Sequence, residues 1–220
     1  MPTRSSEDYI KHIYHLQSSG SKANTGSLAS LLGISPASVS EMINKLSGER
    51  WITNEPYHGF KLTKRGEKIA VNLVRKHRLI EVFLQQHLKY EWDEVHAEAE
   101  KLEHAISDNF IDKLEEYLGF PEFDPHGDPI PDKNGKVAAT HFKLLSQADE
   151  GYNYIIARVD DASKEILQYL SKIGLKLNTN INLNKKIDFD GSVLITLEGE
   201  KHLLSQKMAG LIFVNKQTPK

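Results

Sequence analysis

A chain of 220 residues, with 39% hydrophobic and 26% charged residues, is long enough for more than one folding unit and has an ordinary globular composition. No apolar run approaches the roughly 20 residues needed to span a bilayer, and MPTRSSEDYIKH at the start lacks an apolar core, so a cytoplasmic protein with no membrane partner is expected. There is no cysteine, which excludes disulfides and thiolate metal sites and leaves His, Asp and Glu as the strong side-chain ligands. The net charge of −2 conceals an asymmetry: residues 1–78 hold 12 Lys/Arg against 6 Asp/Glu, whereas residues 79–131 hold 3 against 14. A basic first third suits phosphate neutralisation, and an acidic middle suits a cation.

Tyr9, Ile10, Ile13, Tyr14 and Leu16 recur at helical spacing and predict a first helix over 7–17. Thr25 is expected to cap a short second helix ending at Gly33, and Ser35-Pro36 to start a third running to about Leu46. Two short helices across a tight Gly turn define a helix-turn-helix. Val39, Met42, Ile43 and Leu46 are spaced to pack inward, leaving Ala37, Ser38, Ser40, Glu41, Asn44 and Lys45 outward, a small polar set of the kind that reads a groove. Trp51-Ile52 and Phe60-Lys61-Leu62 bracket the turn residues 54–59, which predicts a hairpin, and a basic helix follows from Lys64 to Lys76. That order is a winged helix-turn-helix, with Lys61, Lys64 and Arg65 placed for backbone phosphates. Residues 79–118 read as two helices broken near 90–93, residues 120–136 as a Pro/Gly/Asp linker, and the last 80 or so as a small β-barrel-like unit. In that unit strands are expected at 154–159, 180–183, 193–197 and 211–214, with one helix at 163–173. The expected domains are 1–76, a DNA-binding winged helix-turn-helix; 77–140, a helical body with linker; and 141–220, the β unit, in a mainly α chain.

In VHAEAEKLEH, His96, Glu100, Glu103 and His104 stand at offsets 0, 4, 7 and 8, one helical face at about 100° per residue. His77 and Glu81 share a face of the preceding helix. Any one such pair is ordinary helix-surface chemistry. Three His and three Glu on adjacent helices also suit a divalent ion, which relieves carboxylate repulsion and accepts neutral imidazole.

The segments SEDYIKHIY (6–14), ISPASVSEMINKL (34–46), LTKRGEKIA (62–70), VRKHRLIEVFL (74–84), VHAEAEKLEHAISD (95–108) and HGDPIP (126–131) resemble the diphtheria toxin repressor and manganese transport regulator family of metal-dependent repressors. The C-terminal unit looks like the SH3-like domain of its longer members. The resemblance implies a dimeric repressor of metal-homeostasis genes that binds palindromic operator DNA, with Ser35, Pro36, Ala37, Ser38, Ser40, Glu41, Asn44, Lys45 and Lys61 at the DNA. It implies one metal site from Asp8, Glu100, Glu103 and His104, and an ancillary one from His77, Glu81, His96 and a C-terminal carboxylate, aligned here with Asp160. The iron-responsive branch has a thioether and a Cys where this chain has Asp8 and Glu100. An all-oxygen and nitrogen set therefore favours Mn(II) as corepressor, with Fe(II) the alternative. Small manganese regulators carry an acid where this chain has Lys11, so separate sites are expected in place of a closely spaced binuclear one.

An enzyme is the rival class, and its motifs are missing. Position 100 is Glu where a reversed zinc-hydrolase motif needs His, and Lys101 and Val74 stand where a di-iron bundle needs Glu. No small organic substrate is expected. The remaining alternative is a winged-helix regulator without a metal switch.

Overall fold

The computed structural model describes residues 2–55, 59–161 and 164–217, which divide into two units. The first comprises Met1–His77, Glu100–Asp112 and Pro131–Val137; the second comprises Arg78–Ala99, Lys113–Ile130 and Ala138–Lys220.

The first unit opens with α1 (Arg4–Ser18), capped by Thr3, whose hydroxyl accepts from the Ser6 N–H at 3.3 Å. The second helix, α2 (Thr25–Leu32), is capped one residue earlier than expected, by Asn24. Asn24 and Ser27 form a reciprocal box, each side chain accepting the other's backbone N–H at 2.9 Å, and Thr25 becomes the first helical residue. Gly33, at φ 64, ends α2 in the left-handed region, and Ser35 then caps α3 (Pro36–Gly48), with Pro36 in the first turn. Tyr9, Ile10, Ile13, Leu28, Val39, Ile43, Leu46, Trp51, Ile52 and Phe60 are buried together and hold the three helices against the hairpin. Strands β1 (Ile52–Glu55) and β2 (Gly59–Leu62) pair antiparallel, Ile52 opposite Leu62. The intervening turn, 56–58, lies outside the described residues. At the root of this wing the Phe60 N–H donates to the Ala23 carbonyl at 2.7 Å, and Gly59 approaches so closely that a Cβ there would stand 2.3 Å from the same oxygen.

The basic helix does not stop at Lys76. It continues as α4 (Lys64–Leu88), because no Gly or Pro follows Gly66 until Lys89 turns left-handed at φ 61. The expected second acidic helix is instead two: α5 (Val95–Leu102) and α6 (Asp108–Tyr117). Residues 103–106 turn between them, and Ser107 caps α6, its hydroxyl accepting from the Phe110 N–H at 3.2 Å. Glu103 and His104 therefore lie in the turn after α5, off the helical stripe the sequence suggests.

Nor are residues 121–130 a solvated linker. Asp124, His126 and Ile130 are buried, and the Asp124 carboxylate accepts the backbone N–H groups of His126 (2.8 Å) and Asp128 (3.0 Å). The Pro/Gly/Asp composition makes tight Asx turns here, with Gly127 at φ 90 against Ala157.

The rest of the second unit is β3 (Lys143–Leu144), β4 (Tyr152–Val159), α7 (Lys164–Lys172), β5 (Asn180–Lys186), β6 (Val193–Leu197), β7 (Glu200–Leu204), α8 (Gln206–Ala209) and β8 (Ile212–Lys216). The predicted start of α7 at Ser163 falls outside the described residues. The strands form one antiparallel sheet in the order β3-β8-β4-β5-β6-β7. Among the described residues no ladder joins β3 to β7, so the sheet is open and not the closed barrel expected; the helices dominate only the first 117 residues. Its core is Tyr154, Ile156, Val159, Ile181, Leu183, Val193, Ile195, Leu197, Ile212 and Val214, packed with Leu167 and Leu170 of α7 and with Trp92.

Candidate metal centres and the DNA-reading face

Every residue placed outward on α3 from its sequence, Ala37, Ser38, Ser40, Glu41, Asn44 and Lys45, is exposed, while Val39, Ile43 and Leu46 are buried. Ser35 and Pro36 form the exposed start of that helix. Lys61 is exposed on β2, where it pairs with Glu55 at 2.6 Å. Arg65 lies 5.9 Å over the Trp51 ring.

The first cluster belongs wholly to the first unit. Asp8 from α1, Glu100 from α5, and Glu103 and His104 from the following turn each offer a donor atom within 4.8 Å of the others. Glu103 is fully buried. The His104 imidazole is held between two α1 acids, with Nδ1 2.7 Å from Glu7 Oε2 and Nε2 2.9 Å from Asp8 Oδ1. Nε2 is buried and has no hydrogen bond of acceptable geometry, a polar atom aimed into a ring of oxygens. That atom and the all-oxygen remainder fit a hard divalent ion.

Lys11 enters the same cluster. Its ammonium, 5% exposed, stands 2.5 Å from Glu100 Oε1, 2.8 and 3.0 Å from the Glu103 oxygens and 3.4 Å from His77 Nδ1. His77, expected at the ancillary site, is hydrogen-bonded to Glu103 at 2.5 Å. Burial and the Lys11 charge hold the neighbouring His12 imidazole below its usual range.

The second cluster belongs wholly to the second unit. Glu81, 1% exposed on α4, groups with His96 of α5 and Asp161, and also with Asp124 and His126. The Asp161 carboxylate, next in the chain to the expected Asp160, lies 3.1 Å from His96 Nδ1. Asp160 directly follows β4, its N–H donating to the Leu211 carbonyl at 2.8 Å. Hydrogen bonds to Asp161 and Glu81 push the His96 imidazole up to about 10. Burial, reinforced by the Glu81 and Asp128 charges and opposed by Arg78, raises the Asp124 carboxyl well above the usual carboxylate range. His126, fully buried, donates from Nε2 to the Trp92 carbonyl at 2.7 Å, while Nδ1 has no hydrogen bond and lies 3.7 Å from Asp161. Sequence reasoning missed Asp124 and His126, and aligned the C-terminal carboxylate with Asp160, the neighbour of Asp161. The available signal was Asp-x-His in a segment dense with turn formers.

An exposed polar reading helix with a wing, in a chain that also carries two carboxylate–imidazole clusters, defines a metal-responsive transcriptional repressor. The comparisons narrow the class. Residues 1–60 match the iron dependent repressor N-terminal DNA binding domain, residues 63–132 the metal binding and dimerisation domain of the same proteins, and residues 143–216 the FeoA domain. The chain belongs to the iron-dependent repressor family, which includes the diphtheria toxin repressor and the manganese transport regulator, in its long form with a C-terminal FeoA domain. It is 37% identical over 120 residues to the HTH-type transcriptional regulator MntR of Oceanobacillus iheyensis, covering 54% of this chain and 81% of that one. A manganese-dependent transcriptional repressor solved in complex with manganese superposes with a TM-score of 0.89 at 36% identity, covering 96% of this chain and 100% of that one. The manganese regulator SloR does so with a TM-score of 0.81 at 36% identity, covering 99% and 100%. The family is made up of transcriptional repressors, not enzymes.

Proposed function

We propose that this chain is a Mn(II)-dependent repressor that binds palindromic operator DNA as a homodimer in the cytoplasm and controls metal-homeostasis genes. The observation that carries the reading is His104 Nε2, buried without a hydrogen bond among the Asp8, Glu100 and Glu103 carboxylates. Those four residues would hold the first ion. Glu81 and Asp161, with His96 or with Asp124 and His126, would hold a second. An ion at the first cluster would supply a double positive charge that no side chain here can match. Asp8 sits on α1, which packs in the core of the reading head, and Glu103 and His104 sit beyond α5. Their joint engagement ties α1 to that turn and favours whichever arrangement of the head fits DNA, the coupling being the difference in metal affinity between the two arrangements.

On the DNA, Ser35 to Lys45 would lie in the major groove with Lys61 on the backbone, and two copies would read the halves of a palindrome. Exposed Leu88, Tyr117 and Phe120, beside the ring contact of His87 and Tyr117 (4.9 Å between centroids), supply an apolar surface for the second copy. We keep the three-part division 1–76, 77–140 and 141–220 as a functional one, with the last an SH3-like module.

The test is fluorescence anisotropy of a candidate palindromic operator against chelator-stripped protein, titrated with MnCl₂ and in parallel with Fe(II), Zn(II) and Mg(II). Manganese-dependent binding that Glu103→Gln abolishes is expected. Binding that is equal with and without metal overturns the reading in favour of a winged-helix regulator with no metal switch, and a response to Fe(II) alone reassigns the ion.

A further inference from the structure

Two consecutive acids of α1 meet opposite edges of one imidazole. Glu7 Oε2 lies 2.7 Å from His104 Nδ1, and Asp8 Oδ1 lies 2.9 Å from Nε2. The two contacts are not equivalent. The Glu7 contact has hydrogen-bond geometry, whereas Nε2, fully enclosed, makes no hydrogen bond at all. An ionised carboxylate has no proton to give, so the Nδ1 edge must carry the hydrogen and donate it to Glu7. In the neutral ring this leaves the lone pair on Nε2, the edge that faces Asp8, Glu103 and Glu100. Adjacent helical residues point about 100° apart, which lets Glu7 and Asp8 reach the two edges of the same ring.

We propose that Glu7 is a positioning residue for this cluster: its hydrogen bond to Nδ1 fixes the tautomer and orientation in which His104 presents Nε2 to a divalent cation. The proposal rests on the reading that the cluster holds such an ion. It assigns Glu7 no contact with the metal. The carboxylate acts through the ring, raising the basicity of the opposite nitrogen and removing the rotational freedom that binding must otherwise quench. The His104 side chain is only 7% exposed, and Nδ1 has its hydrogen-bond acceptor in Glu7.

The experiment compares wild type, Glu7→Met, Glu7→Gln and His104→Ala in the full chain, all in a Glu81→Gln background that silences the second cluster. Free Mn(II) is counted by electron paramagnetic resonance, and ¹⁵N chemical shifts of His104 are read on the metal-free proteins. Outer partners of metal-bound histidines are worth about 10- to 100-fold in affinity, and Glu7→Met is expected to weaken Mn(II) by that order. Its ¹⁵N spectrum should change from a pyrrole-type Nδ1 and pyridine-type Nε2 to a mixture of tautomers. Glu7→Gln, which keeps an acceptor oxygen, should retain the tautomer and most of the affinity. Unchanged shifts and affinity in Glu7→Met overturn the assignment, as do shifts in Glu7→Gln that match those of Glu7→Met. If His104→Ala also binds Mn(II) like wild type, it is the metal-site reading itself that falls.

Discussion

Replacing Lys11 by Met keeps the side-chain length and removes the charge. The ammonium stands 2.5–3.0 Å from three carboxylate oxygens, and Glu103 is fully buried. Removing one partner of a buried pair costs about 3–5 kcal/mol, because the other charge is left without compensation. Two features place this case at the low end: His77 remains 2.5 Å from Glu103, and the Glu100 side chain is 34% exposed. At about 2–4 °C per kcal/mol for a chain of this size, a loss of about 3 kcal/mol lowers the melting of the metal-free chain by roughly 6–12 °C. A divalent ion restores the missing charge, so the stability deficit should close when Mn(II) is added. By the thermodynamic cycle, about 3 kcal/mol recovered on binding corresponds to roughly 100-fold tighter Mn(II) in Lys11→Met than in wild type. Differential scanning calorimetry with and without MnCl₂ measures both. A metal-free Lys11→Met protein that melts with the wild type would show that the ammonium does not hold the cluster together.

Further outcomes follow from other sites. Gly127→Ala forces a left-handed backbone on a residue whose Cβ would stand 2.1 Å from the Ala157 carbonyl. It should cost about 2–3 kcal/mol in urea unfolding of the second unit, and a neutral result would mean that the 124–130 turn is not rigidly packed. Ser35→Ala removes the acceptor of the Ser38 N–H and should destabilise the reading head by about 1 kcal/mol without altering metal uptake. Lys61→Ala should lower the slope of log K against log salt by about 0.9 for any DNA sequence, whereas Asn44→Ala should relax discrimination between sequences by about 1–3 kcal/mol. Asp108 is held below the usual carboxylate range by Lys76, 2.8 Å away, and by Asn72. A depressed folded value means that its contribution is present above about pH 4 and lost as pH falls through that value, so Asp108→Asn should flatten the acid limb of the stability profile.

The reading head was legible residue by residue because its signals are local. Proline at 36, glycine at 33 and the apolar spacing of 39, 43 and 46 each act within a turn or two. The cluster of Asp8, Glu100, Glu103 and His104 was legible as a set, although the continuous helix argued for it does not exist. Helix α5 ends at Leu102, residues 103–106 turn, and Ser107 caps a new helix through its hydroxyl, a restart that apolar periodicity does not register. Lys11 was visible as a departure from a pattern, but its burial against Glu100 and Glu103 depends on contacts 89 and 92 residues away. The segment 121–130 misled for the opposite reason: its composition is that of an exposed linker, while Asp124 and His126 are buried by packing from distant parts of the chain. Strand β7 was missed because it is a polar edge, announced only by the Glu198-Gly199 turn with φ of 49 and 88.

The root of the wing has a mechanical meaning. Phe60 is held on both sides of its backbone, its N–H by the Ala23 carbonyl at 2.7 Å and its C=O by the Gln17 side chain at 3.4 Å. Gln17 is on α1 and Ala23 is in the loop that follows it, so the hairpin is stitched to the same rod that carries Glu7, Asp8 and Lys11 at its other end. Gly59 leaves no slack, since its backbone already touches Ala23. A shift of that rod along its length cannot be taken up at the stitch without giving up a hydrogen bond, and the wing is thereby geared to whatever draws on the first two turns of α1.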